Sequence, residues 1–245
     1  MEVLEASWQV FKRNIVFYVI YSVVYVLLLA LTLLPVLGLF VSIFLSIYGF
    51  AGVLYISYTY FLENREDIQL EFASIKDYLV PSAGMYLGVL VLTLLSMSVF
   101  FLLILLFGGI GFLGDFMRGQ KEGGLGLILA MTILVIFMLL VALYYLYSIP
   151  ANIAKALADG LSFERSFLAR FYPFTPSGVK DLMSGDYLKL GLLWSLIVSV
   201  LGLLGVILLI LIITIPLAAL IMCFIMTYTA MVGASFAPKL KQATT

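Results

Sequence analysis

Four carboxylates and five bases lie between Pro150 and Lys189, and solution chemistry would have to be done there: Asp159, Glu164, Asp181 and Asp186, interleaved with Lys155, Arg165, Arg170, Lys180 and Lys189. Two carboxylates at one site can share a proton or hold a divalent cation. Each of these acids has a basic residue within five positions, and Glu164 with Arg165 and Arg170, or Asp181 with Lys180, reads as a salt-bridged solvated surface. A second motif, Gly109-Ile110-Gly111-Phe112-Leu113-Gly114, matches G-x-G-x-x-G, but a dinucleotide site needs a strand before it, a soluble helix after it and an acid about 20 residues on. An apolar run precedes it here, so the stretch reads as a flexible or re-entrant loop. The hydroxyls of Ser42, Ser46, Ser96, Ser98, Ser195, Ser199, Thr227 and Thr229 have no base nearby in sequence to activate them, and a nucleophile needs one. They read as helix-packing residues. With no histidine and one cysteine, Cys223, His-based catalysis, an internal disulfide and a CxxC metal site are all excluded. No catalytic, cofactor-binding or metal-ligating residue is assigned, no cofactor is expected, and the chain is read as not an enzyme.

The elements that carry these residues belong in a bilayer. A soluble domain is about 45–50% apolar and about 25% charged, whereas this chain of 245 residues is 64% hydrophobic and 11% charged. Zero net charge leaves no basic surface for nucleic acid, which is excluded as a partner. The expected fold is all-α: a single integral membrane domain, a polytopic transmembrane bundle with six spans arranged as three hairpins, and short amphipathic interfacial helices between them.

The spans are expected near 15–34, 39–62, 84–107, 125–149, 188–213 and 217–236. Twenty apolar residues at ~1.5 Å each reach ~30 Å, the thickness of the hydrocarbon core, and the first run is too long for a signal-peptide h-region. Pro35 and Gly38 turn the first hairpin, Pro150 ends the fourth span, Pro216 turns the third hairpin and Pro238 ends the sixth span. Tyr18, Tyr21, Tyr58 and Tyr60 read as an aromatic belt. Leu4, Trp8, Phe11 and Ile15 form one face of a helix ahead of the first span. Ile68, Phe72, Ile75 and Leu79 repeat that spacing 64 residues later, with Asn64 as a cap and Pro81 as an interruption, and Met183, Tyr187, Leu190 and Trp194 give a third version. Three units, each a lead-in segment and a hairpin, account for this pattern. In the loop at 150–187, Ser162 is expected to cap a short helix through Arg170, and Thr175-Pro176 to start another running to about Ser184. Gly84-x-x-x-Gly88, Gly49-x-x-Gly52 and Gly202-x-x-Gly205 mark close helix crossings.

Of the thirteen basic residues, eleven fall on the side that holds both termini and the 150–187 loop; the other two, Arg118 and Lys121, lie between the third and fourth spans. That asymmetry places both termini and the long loop in the cytoplasm and the protein in the plasma membrane. Apart from Lys189 at the edge of the fifth, no span contains an acidic, basic or histidine residue, which argues against proton relays and ion pathways.

Ser7-Trp8-Gln9-Val10-Phe11-Lys12-Arg13-Asn14 ahead of a span, and Asp159-Gly160-Leu161-Ser162-Phe163-Glu164-Arg165-Ser166-Phe167 after one, resemble the cytosolic elements of a loosely defined group of prokaryotic six-span proteins, mostly uncharacterised. That group is similar to the membrane domain attached to some glycerophosphoryl diester phosphodiesterases. The catalytic barrel of those enzymes has no counterpart here, so the resemblance implies a membrane architecture and no activity. The function expected is that of an accessory, scaffold or lipid-interacting subunit. A carrier or channel for a neutral or lipid-like substrate is the alternative. Membrane lipids, other membrane subunits and further copies of the chain are the expected partners, and Lys12, Arg13, Arg165 and Arg170 are the candidate lipid-headgroup contacts.

Overall fold

The computed structural model describes residues 2–34, 37–63, 67–117, 125–210 and 215–242. They form an all-α protein, without a strand among the described residues: α1 (Glu2–Arg13), α2 (Ile15–Leu31), α3 (Leu37–Glu63), a 3₁₀ segment (Phe72–Tyr78), α4 (Leu79–Met117), α5 (Leu125–Asp159), α6 (Phe163–Ala169), a 3₁₀ turn (Tyr172–Phe174), α7 (Pro176–Leu182), α8 (Gly185–Ile210) and α9 (Ile215–Gln242). Among the described residues five helices are long and apolar enough to cross a membrane, or six if the bent pair α1–α2 is one span. The chain is a multi-pass integral membrane protein. It divides into two compact units, Met1–Gly88 with Tyr147–Thr245, and Val89–Leu146.

In the first unit α9 is the hub, packed by α1, α2, α3 and α8. Burial is concentrated in its second half, where Met226 to Ala237 are almost all inaccessible, while Leu217 and Met222 nearer its start are half exposed. In α3 the buried residues likewise cluster from Leu45 to Ser57. The helices therefore pack tightly at the end that carries the short elements and present apolar side chains at the other, as expected of segments solvated by lipid tails. The second unit consists of the remaining parts of α4 and α5. Leu92 and Leu134 are the large apolar side chains buried there among the described residues, and the Ser96 and Tyr145 hydroxyls lie 3.5 Å apart.

Several boundaries differ from the sequence expectation. Pro150 does not end the fourth span: α5 continues to Asp159 and stops at Gly160, whose φ of 84° is the left-handed conformation that closes a helix. The helix survives the proline because the Tyr187 hydroxyl sits at the break. It donates to the Tyr147 carbonyl at 2.7 Å and accepts from the Ala151 N–H at 3.2 Å, the two groups that a regular helix would join directly. Pro238 likewise lies inside α9, with Phe236, Ala237 and Leu240 buried around it. Pro81 falls in the first turn of α4, where its missing N–H would have no helical partner in any case. The glycines from 108 to 114 are helical rather than a loop. A glycine costs about 1 kcal/mol in a helix, less than the several kcal/mol of an unpaired backbone group in hydrocarbon. Arg118–Gly124, Pro35 and Asn64 lie outside the described residues.

The lead-in segments also differ. α1 and α2 meet at 81°, and α1 buries Ala6, Ser7, Val10 and Phe11 rather than the stripe through Leu4, Trp8 and Ile15, of which Trp8 and Ile15 are exposed. Small side chains on that face let α1 lie close to α9. At the elbow Asn14 is buried and acts as a backbone surrogate: its side-chain amide donates to the Ile68 carbonyl at 3.0 Å and accepts from the Leu70 N–H at 2.8 Å. Tyr55 accepts from the Glu71 N–H at 2.8 Å. These bonds hold residues 68–71 out of helical conformation, so the second lead-in becomes a non-helical stretch followed by the 3₁₀ segment. Ile68 and Ile75 are nonetheless buried, as their spacing implied.

Candidate functional site: an apolar groove between α2, α3 and α9

Several of the loop residues capable of chemistry are engaged in bonds within the protein. Lys155 pairs with Asp159 at 2.8 Å and lies 5.4 Å from the centre of the Tyr172 ring. The Tyr172 hydroxyl donates to Asp181, and burial, reinforced by that carboxylate, holds the phenol well above its ordinary pKa. Asp186 pairs with Lys239 at 2.6 Å, and the Arg165 guanidinium donates to the Asp159 carbonyl. Lys155 and Asp159 pair as sequence neighbours, as expected, whereas Asp186 takes its partner from 53 positions away. Among the described residues no cluster of three or more His, Cys, Asp or Glu could hold a metal.

The two caps form as the sequence implied, with Ser162 accepting from the Arg165 N–H at 3.2 Å and Thr175 from the Gly178 N–H at 3.1 Å. Of the four cations proposed to meet lipid headgroups, Lys12, Arg13 and Arg165 are exposed, with Lys12 5.7 Å from the Trp8 ring. Arg170 departs from the expectation: it is 5% exposed, with its guanidinium 4.8 Å from the Phe50 ring. It packs where Gly84 and Gly88 admit α6 against α4. A Cβ at Gly84 would stand 2.1 Å from the Phe163 carbonyl oxygen, and one at Gly88 would stand 2.8 Å from Arg170 Cγ. The small-residue pair seats a surface helix.

Two of the four tyrosines expected in a belt are core instead, while Tyr58 and Tyr60 are partly exposed. Tyr18 and Tyr21 are buried, the Tyr18 and Thr227 hydroxyls lie 2.6 Å apart, and Tyr21 donates to the Tyr48 carbonyl at 2.9 Å. Tyr21 and Tyr48 stack with centroids 4.5 Å apart. Beside this cluster is a groove of about 410 Å³. Tyr21, Tyr25 and Leu29 line it from one face of α2, Gly49 and Val53 from α3, and Ala218, Met222 and Met226 with Ala219 and Cys223 from α9. The groove exists because Gly49, Ala218 and Ala219 put no bulk where three helices converge. Its inner end closes where a Cβ at Gly52 would stand 2.7 Å from Met226 Sδ and 2.8 Å from the Tyr21 hydroxyl oxygen.

Apart from the Tyr25 hydroxyl, the side-chain hydroxyls along the groove are bonded within the protein. Ser22 donates to the Val19 carbonyl at 2.9 Å, Thr229 donates to the Ile225 carbonyl at 2.7 Å, and Thr229 accepts from the Trp194 indole N–H at 3.1 Å. Back-bonded hydroxyls on helices leave a wall that presents mainly hydrocarbon. Met222, in the groove lining, and Leu217 beside Ala218 in sequence are about half exposed, so lipid chains can reach the groove. Sequence reasoning missed it. The one available signal was small residues, Gly49 and the pair Ala218-Ala219, inside runs of large apolar ones. Compared with known protein families, curated proteins and solved structures, the chain gives no match.

Proposed function

We propose that the protein is a non-enzymatic, lipid-interacting accessory or scaffold subunit of the plasma membrane, with both termini cytoplasmic. The observation that carries this reading is the groove: an apolar-walled volume on a spanning bundle, with the Ser22 and Thr229 hydroxyls turned back onto backbone carbonyls. Lys12, Arg13 and Arg165 then meet anionic headgroups at the cytoplasmic face, where each cation adds on the order of 1 kcal/mol. The resemblance to the membrane domains attached to phosphodiesterases belongs to the same proposal and brings a six-span layout without a reaction. Purification in mild detergent followed by native mass spectrometry tests it. Retained lipid, or a co-purifying membrane subunit or second copy, is expected; a lipid-free monomer indifferent to added lipid refutes it. The same groove favours a second reading, a carrier for a lipid-like substrate, which predicts that proteoliposomes accelerate transbilayer exchange of a labelled phospholipid.

A further inference from the structure

We infer that the groove is a binding site for a single acyl chain, drawn from the leaflet at the end where α2 finishes and α9 begins, with its terminus directed toward the seal formed by Tyr21, Gly52 and Met226. This rests on the lipid-interacting reading and makes it specific. Length selects the occupant: from Ile215 to Met226 α9 advances eleven residues, ~16 Å, and one leaflet of the hydrocarbon core is ~15 Å deep. Chemistry agrees, because Ser22 and Thr229 spend their protons on helix carbonyls and Tyr21 spends its own on the Tyr48 carbonyl. Beyond the Tyr25 hydroxyl a headgroup would find little to bond inside, so it stays at the open end beside Leu29 and Ile215. A charged or strongly polar solute is excluded for the same reason. Continuity with bulk lipid supplies the route of access: Leu217 and Met222 flank the groove and are about half exposed, so a chain enters sideways without first leaving the bilayer.

Gly49 sets the width. It lines the groove, and a Cβ placed there meets nothing within 4 Å, so a side chain grown from this position starts unobstructed into the space that the lipid chain would occupy. Trp194 supplies the reporter. It is 1% exposed, its indole bonds Thr229 in the groove wall, and Trp8 is the other tryptophan of the two in the chain.

The test uses the full chain carrying Trp8→Phe, reconstituted in nanodiscs of phosphatidylcholine with or without bromine on the acyl chains. Bromolipid is expected to quench Trp194, and more than half of that quenching is expected to be lost on Gly49→Phe, while Gly49→Ala keeps it. Gly49→Leu provides an intermediate plug should the phenylalanine variant not assemble, and elution volume with helical circular dichroism certifies each protein. Quenching of Trp194 that is the same in the plugged and unplugged proteins overturns the acyl-chain site, as does its absence in the unplugged protein. If the plugged protein still retains lipid in native mass spectrometry, the general lipid-interacting reading survives that failure. If neither protein retains lipid, the general reading falls as well.

Discussion

Replacing Tyr187 with phenylalanine tests the account of how α5 passes through Pro150. The hydroxyl is within bonding distance of both the Tyr147 carbonyl and the Ala151 N–H, and both Tyr187 and Ala151 are fully buried. Its removal takes one partner from each backbone group. A buried polar group left unsatisfied costs about 1–3 kcal/mol, so the loss has a ceiling of about 6 kcal/mol for the two together. Partial straightening of the helix re-forms some of the direct bond, and the expected cost is about 2–3 kcal/mol. Packing contributes little, because the ring remains against Tyr147 and Phe236, with centroids 5.1 and 4.8 Å away. The decisive control is Pro150→Ala. With an N–H restored at position 150 the helix can close its own ladder, the hydroxyl becomes dispensable, and Tyr187→Phe should cost about 1 kcal/mol or less in that background. Equilibrium unfolding in mixed micelles, followed by Trp194 fluorescence, gives the four stabilities of the cycle. A cost below about 0.5 kcal/mol in the native background, or an equal cost in both backgrounds, refutes the bridging role.

Three further outcomes are expected. Asn14→Ala should destabilise by about 2–4 kcal/mol, because it deprives the Leu70 N–H and the Ile68 carbonyl of their side-chain partner; amide exchange at Leu70 should accelerate, and unchanged exchange there contradicts the elbow. Gly84→Val should displace α6 at a cost of about 3 kcal/mol or more and expose residues 160–175 to protease, whereas Gly202→Ala, with nothing near its added methyl, should be neutral or slightly stabilising; equal behaviour of the two variants counts against the seating of α6. Because burial and then Asp181 raise the folded-state pKa of Tyr172, the unfolded chain releases that proton first. The contribution is therefore complete below pH about 10, is lost as pH rises toward the folded-state value, and should disappear from the wild-type minus Tyr172→Phe stability difference, which a flat difference across that range would refute.

Local chemistry was legible wherever the partner lies within a few residues. Ser162 and Thr175-Pro176 start α6 and α7 as read, because an N-cap bonds a backbone N–H only two or three positions on. The apolar runs gave the spans, because hydrocarbon imposes a length on any helix that crosses it. Proline and glycine were misread wherever distant residues supplied the missing bond. Pro150 looks like a stop until Tyr187 arrives from 37 positions later, and residues 68–71 look helical until Asn14 arrives from 54 positions earlier. Arg170 looked like a headgroup contact because its charge is visible in the sequence, whereas the Phe50 ring and Gly88 that bury it belong to other helices.

By itself, then, the sequence determined that this is an all-α, multi-pass membrane protein with uncharged spans and capped short helices, since composition, run length and capping are properties of contiguous residues. Only the tertiary structure decided that Tyr18 and Tyr21 are core, that Gly84 and Gly88 seat α6, and that a groove lies beside Tyr21. A cavity is defined by what three helices fail to fill at one level: Gly49 and Ala218 are 169 positions apart, and nothing in either run states that their missing side chains face the same space.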